Sequence, residues 1–245
     1  MKRALLLAAG LGARLRPITD TIQKCLVPIN GKPLIEYWLD SLSKAGIQEF
    51  LINSHYFADQ MKSYVENSKY KNNITLVYED ELLLTGGTIL ANKDFFNNET
   101  FLVAHADNLC LCDFNAFFDA HESRPKRCDI TMMTFETDTP HSCGIVDLDQ
   151  EGILVNFYEK VLNPPSNLAN GAVYIFEPTV IDFIASQHKK VIDISTEVLP
   201  LYLNKIYTFK NTVYHRDIGT IKSLARACKD IIKIKKDYNN ASNIL

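Results

Sequence analysis

Two rhythms of apolar positions run along this chain. Short uninterrupted apolar runs alternate with longer stretches in which apolar residues return every three or four positions. Runs of the first kind read as buried strands, stretches of the second as amphipathic helices. Strands are therefore predicted over 4–9, 50–53, 74–78 and 101–104, and helices over 34–44, 58–66 and 86–96. Gly46 stops the first of these helices. Strands separated by helices form βαβ units, which predicts parallel pairing with right-handed crossovers.

Beyond Asp107 the rhythm changes. A helix over 115–122 and a strand over 130–135 come first. Strands over 143–147 and 154–159 flank the turn Asp149-Gln150-Glu151-Gly152, a hairpin signal. A strand over 172–176, helices over 178–186 and 195–204, and short strands over 206–209 and 213–216 follow. A last helix runs from near Thr220 to about Lys236, with a basic end that reads as a solvated face; the polar tail over 239–245 reads as frayed. The expectation is an α/β fold in one domain over 1–236, its sheet parallel first and mixed later, with a tail over 237–245.

With 245 residues, 47% of them hydrophobic, the chain can bury a sizeable core. A net charge of -3 argues against a general nucleic-acid binder. No stretch approaches the roughly 18 uninterrupted apolar residues of a membrane span. The apolar run after Met1-Lys2-Arg3 is too short for a signal peptide, and the six scattered cysteines fit a reducing compartment. The expectation is a cytoplasmic protein, with no nucleic-acid or membrane partner and with a homo-oligomer left open.

Candidate chemistry sits at strand ends. Gly10-Leu11-Gly12-Ala13-Arg14-Leu15-Arg16-Pro17 is a glycine-rich turn carrying two arginines. Such glycines let the backbone approach a ligand, their N–H groups cradle phosphate, and guanidinium forks suit phosphate oxygens. The third glycine of a dinucleotide fingerprint would fall at Leu15, and no Gly-Lys-Ser/Thr follows, so neither that fingerprint nor a Walker A loop is present. Lys24, in Lys24-Cys25-Leu26-Val27-Pro28, would bring a third cation to the same place, as a triphosphate and a leaving pyrophosphate require. Thr85, before Gly86-Gly87, can hydrogen-bond a base edge or cap a helix. Asp107 lies just past the carboxyl end of an apolar strand, where open α/β sheets bind ligands. Asp217, in His215-Arg216-Asp217-Ile218-Gly219-Thr220, either repeats that placement or caps the last helix. Two such hard carboxylates suit Mg²⁺.

Three motifs carry a resemblance. They are Leu-Ala-Ala-Gly-x-Gly-x-Arg-Leu-x-Pro over 7–17, Lys-x-Leu-x-Pro over 24–28 and Gly-Lys-Pro-Leu-Ile over 31–35. With them the chain resembles the sugar-phosphate nucleotidylyltransferase (NDP-sugar pyrophosphorylase) family from about residue 3 to 228. It is especially similar to short bacterial members without a C-terminal β-helix, such as mannose- or heptose-1-phosphate guanylyltransferases and N-acetylmuramate-1-phosphate uridylyltransferase. The resemblance implies a Rossmann-like, glycosyltransferase-A-like fold and a Mg²⁺-dependent enzyme. Its reaction would join a sugar-1-phosphate to an NTP, giving an NDP-sugar for cell-surface polysaccharide and pyrophosphate.

The resemblance also implies roles. Leu7, Ala8, Ala9, Gly10, Gly12, Ala13 and Arg14 would wrap the nucleotide, with Arg14 on its phosphates and Lys24 stabilising the α-phosphate under attack. Glu79, Thr85 and Gly86 would help select the base. Asp107, also a nucleotide contact, and Asp217 would bind magnesium. Asn108, Gly144, Glu159, Lys160 and Asn170 would hold the sugar phosphate, Gly144 by its backbone, Glu159 on hydroxyls and Lys160 on the phosphate. The chain departs from the family pattern at Ala106, where glycine is common, at Val161, where proline usually follows the Glu-Lys pair, and at Leu82-Leu83-Leu84, where Pro-Leu-Gly is frequent. Ala-Asp-Asn over 106–108 and Asn-Gly-Ala-Val-Tyr over 170–174 lean the expectation to GTP with a manno-configured sugar phosphate. Three alternatives stand beside it: UTP with a hexosamine or N-acetylmuramate 1-phosphate, a cytidylyltransferase for phosphocholine or another non-sugar phosphate, and a non-catalytic nucleotide-sugar-binding protein.

Overall fold

The computed structural model describes residues 1–242, and only the backbone of residue 235 and of 237–242. Strand β1 (Arg3–Leu7) is followed by a small hairpin of β2 (Pro28–Ile29) and β3 (Lys32–Pro33), then α1 (Leu34–Lys44), β4 (Glu49–Ser54), α2 (Ala58–Asn67), β5 (Ile74–Tyr78) and α3 (Leu84–Ala91). Next come β6 (Phe101–His105), β7 (Asn108–Leu111), α4 (Phe114–Glu122), β8 (Ile130–Glu136), β9 (Gly144–Leu148) and β10 (Leu154–Glu159). The chain continues through β11 (Leu168–Phe176), α5 (Thr179–Ser186), β12 (Ile206–Lys210), β13 (Tyr214–Asp217) and α6 (Ile221–Ser242).

β5, β4, β1 and β6 lie side by side in parallel. β11 joins β6 antiparallel, β8 joins β11 antiparallel, and β12 joins β8 parallel. The β9–β10 hairpin meets β11 through the pair Ala169 and Ile145. The sheet is thus parallel first and mixed later, as the sequence predicts. Among the described residues there is no β-helix. No described helix is long and apolar enough to cross a membrane.

Alternation along β1 shows why its run is unbroken. Ala4 and Leu6 share a core with Trp38 of α1, Met61 of α2 and Phe117 of α4, whereas Leu5 shares the opposite core with Ile89 of α3 and Val180 and Ile184 of α5. Successive strand residues face opposite ways, and both faces are covered. A third core joins Leu15, Val27 and Ile29 to Leu109 of β7, Ile218, and Ala227 and Ile231 of α6. It ties the segment after β1 to the last strand and helix.

Several elements differ from the sequence prediction for local reasons. β1 stops at Leu7 because side chains claim the next peptide groups: Ala8 N–H donates to Asn53 Oδ1 at 2.7 Å, and Gln23 Nε2 donates to Ala8 O at 2.8 Å. The helix predicted over 86–96 starts at Leu84, breaks at Asn92 and resumes as a 3₁₀ turn, Lys93–Phe96. The helix predicted over 195–204 is a π turn, Ile194–Val198, and a 3₁₀ turn, Leu199–Leu201, with Pro200 denying a backbone donor. β11 begins at Leu168, and its register against β8 shifts between Asn170 and Tyr174, where Ala172 has φ +53°. Such an irregularity bends a strand. Upstream of it β11 exchanges β6 for β9 as neighbour. The pairing of β7 with β13 is unanticipated. α6 runs on to Ser242; residues 243–245 of the expected tail lie outside the described residues.

Asp40 on α1 gathers Lys32 of β3, Lys69 at 2.8 Å and Tyr70 Oη at 2.5 Å. Partial burial disfavours its charge, but Lys32, Lys69 and Tyr70 outweigh this and hold the carboxyl at about 2. A depressed carboxyl stabilises the fold above its unfolded value near 4, and that contribution fades as pH falls through about 2. Asp40→Asn is therefore expected to cost about 1 kcal/mol at neutral pH after solvent screening, or about 2–4 °C in Tm. Thermal melts by circular dichroism should show this gap closing toward pH 2; a gap constant with pH would contradict the assignment.

Candidate active site

The site grows from the ends of β1, β4, β5 and β6. Asn53, at the end of β4, accepts from Ala8 and donates through Nδ2 to Glu79 Oε1 at 2.9 Å. Glu79 is buried just after β5. It also accepts from Thr88 Oγ1 at 2.6 Å and from Leu83 N–H at 3.2 Å. These bonds fix the start of α3 against β1. A cavity of about 180 Å³ opens between them. It brings together Leu7, Ala8, Ala9 and Gly10 with Glu79, Thr85 and Asp107. Lys24 also reaches its wall.

Gly12 and Ala13 lie outside that lining. Gly12 has φ +63° and precedes the 3₁₀ turn Ala13–Leu15. Gly86 is engaged elsewhere, since its N–H donates to Ile192 O at 2.8 Å. Thr85 Oγ1 accepts from Ile194 N–H at 2.7 Å while lining the cavity.

At the cavity's end stands the charged cluster. Ala106 N–H donates to Leu7 O at 3.0 Å, which turns the chain after β6, and Asp107 O accepts from Ile218 N–H. The β7–β13 register sets Asn108 opposite Asp217. Trp38 Nε1 donates to Asn108 O at 2.8 Å and fixes that strand from below. Asp107 and Asp217 therefore converge on one ammonium. Lys24 Nζ is 2.7 Å from Asp107 Oδ2 and 3.3 Å from Asp217 Oδ1, with the Lys24 side chain 6% exposed. Arg14 is 3.3 Å from Asp217 Oδ2.

Burial works against the Lys24 ammonium, but Asp107 and Asp217 more than offset it, so the lysine holds its proton above its ordinary range. Burial likewise opposes the Asp107 charge, and Lys24, His105 and Arg14 prevail, leaving that carboxyl below its ordinary range. Burial pushes His215 down to about 3 against the pull of Asp107, so this ring is neutral. Burial also lowers His105, which lines the cavity.

A second cleft of about 760 Å³ starts at Arg14, Asp217 and Gly219 and passes Cys143 toward α6. Gly219 lies close to this pair: a Cβ there would lie 2.5 Å from Asp217 Oδ2 and 3.1 Å from Arg14 Cζ, so those two side chains would have to shift. Gly144, Glu159, Lys160, Asn170 and Asn108 line neither cavity. Asn108 stands apart on β7, and the other four form their own group along β9, the end of β10 and β11. Gly144 and Glu159 are register partners, and a Cβ on Gly144 would meet Glu159 Oε2 at 2.7 Å. Lys160 Nζ lies 2.8 Å from Glu159 Oε1. Asn170 donates to Tyr174 Oη at 2.7 Å. The next residue, Gly171, adjoins β13, since a Cβ on it would lie 3.5 Å from His215 Cε1.

Asn53, Gln23, His215 and Gly219 escaped the sequence reading. His215 was legible in principle, since residues two apart on a strand share a face and Asp217 is two positions on.

Comparison with known proteins agrees with this architecture. A mannose-1-phosphate guanylyltransferase of Mycobacterium tuberculosis is 31% identical over 235 residues, covering 94% of this chain and 64% of the relative. The chain thus spans about three fifths of the length of such curated relatives. A sucrose-bound structure from Bacillus anthracis, provisionally named a glucose-1-phosphate thymidylyltransferase, superposes with a TM-score of 0.84 at 20% identity, covering 94% of each chain. HddC from Yersinia pseudotuberculosis, complexed with GMP-PN, superposes with a TM-score of 0.80 at 24% identity over 94% of this chain and all of that one. At these identities the two structures establish a shared fold. Residues 3–234 match the nucleotidyl transferase family, and the chain belongs to it.

Proposed function

We propose that the chain transfers a nucleotidyl group from an NTP to a sugar-1-phosphate, releasing pyrophosphate, with GTP and a manno-configured sugar phosphate as substrates. The convergence of Lys24, Asp107 and Asp217 beside a cavity lined by Ala8, Ala9 and Gly10 is the observation that carries it. The base and sugar follow the mannose-1-phosphate guanylyltransferases at about 30% identity.

The acceptor's phosphate oxygen is already anionic and needs no general base. It attacks the α-phosphorus; the new O–P bond forms as the bond to the bridging β-phosphate oxygen breaks. Catalysis then rests on alignment and charge stabilisation. Lys24, held protonated by its two carboxylates, would offer its ammonium to the α-phosphate as charge develops. Arg14, exposed at the mouth, would take the departing phosphates. Glu159 would accept from vicinal hydroxyls and Lys160 would neutralise the sugar phosphate.

Asp107 and Asp217 would hold Mg²⁺. Both are partly exposed, both supply hard oxygens, and they lie within reach of one point, Lys24 Nζ. Two carboxylates fit an ion that completes its shell with phosphates and water, and the described residues offer no set of three His, Cys, Asp or Glu for a closed cage. When bound, the ion would supply Lewis-acid neutralisation of the phosphate oxygens. We place the reaction in the cytoplasm, in keeping with six cysteines that are all free thiols.

Pyrophosphate release, measured with Mg²⁺ for GTP, UTP, CTP and dTTP against mannose-, heptose-, glucose-, glucosamine- and N-acetylhexosamine-1-phosphates and phosphocholine, should be strongest for GTP with mannose-1-phosphate. A blank grid from folded protein would sink the proposal, and a phosphocholine-only signal would move it to a cytidylyltransferase. In the active pair, Lys24→Ala and Asp107→Ala should each lower kcat by about 10²–10³-fold with an unchanged circular dichroism spectrum. Normal turnover in either variant would count against the assigned roles. Chelation of divalent ions by EDTA should abolish release, and added Mg²⁺ should restore it.

A further inference from the structure

Leu84 occupies a backbone conformation that suits it poorly. It opens α3 with φ +60°, in the left-handed region, which a bulky side chain rarely adopts. Its neighbours leave it little choice. Leu83 N–H donates to Glu79, Leu83 O accepts from Ile192 N–H, and Leu84 O accepts from Thr88 Oγ1 at 2.9 Å. The side chain belongs to none of the apolar cores and is 45% exposed. It nevertheless lines the 180 Å³ cavity together with Leu82, Leu7 and Ala8. Glycine would take the same φ without strain and expose no apolar surface. A strained, uncovered leucine at a cavity mouth makes physical sense when a flat apolar ligand covers it.

Resting on the nucleotidyl-transfer reading above, we propose that Leu84 is an apolar clamp on the nucleobase and favours purine over pyrimidine nucleotides. A base presents two flat, weakly polar faces, and an apolar side chain packs on one of them without reading its edge. A two-ring base covers more of the leucine than a one-ring base, so contact area alone biases the site.

Leu84→Gly, Leu84→Ala and Leu84→Met separate backbone strain from side-chain contact. Titration calorimetry with GTP and with UTP, each with Mg²⁺, and KM for both nucleotides give the readout. Leu84→Gly should melt about 2 °C higher than the parent, because the strain is gone. Its Kd for GTP should nonetheless rise roughly five- to tenfold, and its Kd for UTP by less. Leu84→Ala should lose GTP affinity similarly with no gain in Tm, and Leu84→Met should restore most of it. Unchanged GTP affinity in both the Gly and Ala variants, in a chain that still releases pyrophosphate, would overturn the clamp and leave the transferase reading standing. Equal losses for GTP and UTP would overturn the purine preference. A parent chain that neither binds nor turns over any nucleotide would overturn both readings.

Discussion

Asp107 and Asp217 belong to distant parts of the chain, yet Lys24 Nζ lies within hydrogen-bond reach of both. Two carboxylates brought this close repel each other, by about 4 kcal/mol at 4 Å near a protein surface. A buried ammonium, standing alone, would also be costly by several kcal/mol. Together each cancels the other's penalty, with two attractions set against one repulsion. The cluster is thereby a folding constraint as well as a chemical one. It can form only if the segment after β1, the end of β6 and β13 arrive together, and the third apolar core brings them there through Leu15, Val27, Leu109 and Ile218.

The same constraint explains the break in the sheet. β6 must end where Asp107 can turn out toward Lys24, and Ala106 donating to Leu7 O makes that turn. β11 cannot continue beside a strand that has ended. At Asn170–Ala172 it loses register against β8, and upstream it takes β9 as neighbour. Gly144, Glu159 and Asn170 are set down there, on a separate surface adjoining β13 through Gly171 and His215. The parallel half of the sheet thus presents the cavity, and the mixed half carries the second group of polar residues at the irregularity of β11.

Legibility in the sequence followed burial. β1, β4 and β6 pack on both faces, so their apolar runs are unbroken and their positions plain. The glycine-rich turn and Lys24 were visible as motifs. The contact of Lys24 with Asp217 was not, because it depends on β7 pairing with β13: the sequence predicts a strand over 213–216 but not β7, and nothing in these two short strands announces that they pair. The first half of β11 was hidden for a related reason: Asn170-Gly171 interrupts its apolar run at the bend. Glu79 shows the opposite difficulty. Its motif suggested a base contact; the structure puts it in the cavity lining, with three donors, Asn53, Thr88 and Leu83, holding its carboxyl group in place. Tertiary hydrogen bonds of this kind leave no trace in local pattern.

Charge pairing across the site has a further consequence. Arg14 and Lys24 are paired with Asp217 and Asp107, and Lys160 is paired with Glu159. Three cations face three carboxylates, so the cluster is formally neutral before any ligand arrives. A triphosphate and a sugar phosphate together bring several negative charges. Were neutralising phosphate the whole task, Asp107 and Asp217 would be a hindrance, because each occupies a cation that phosphate needs. Under the proposed function their placement makes electrostatic sense: Asp107 and Asp217 would hold a divalent cation that neutralises phosphate charge, which would leave Lys24 and Arg14 for the phosphate oxygens. On the same reading Glu159 and Lys160 would divide in the same way, the carboxylate toward hydroxyls and the ammonium toward phosphate. On that reading the ion pairs seen here are a resting arrangement in which each charged side chain is held by its partner, and substrates would exchange those partners.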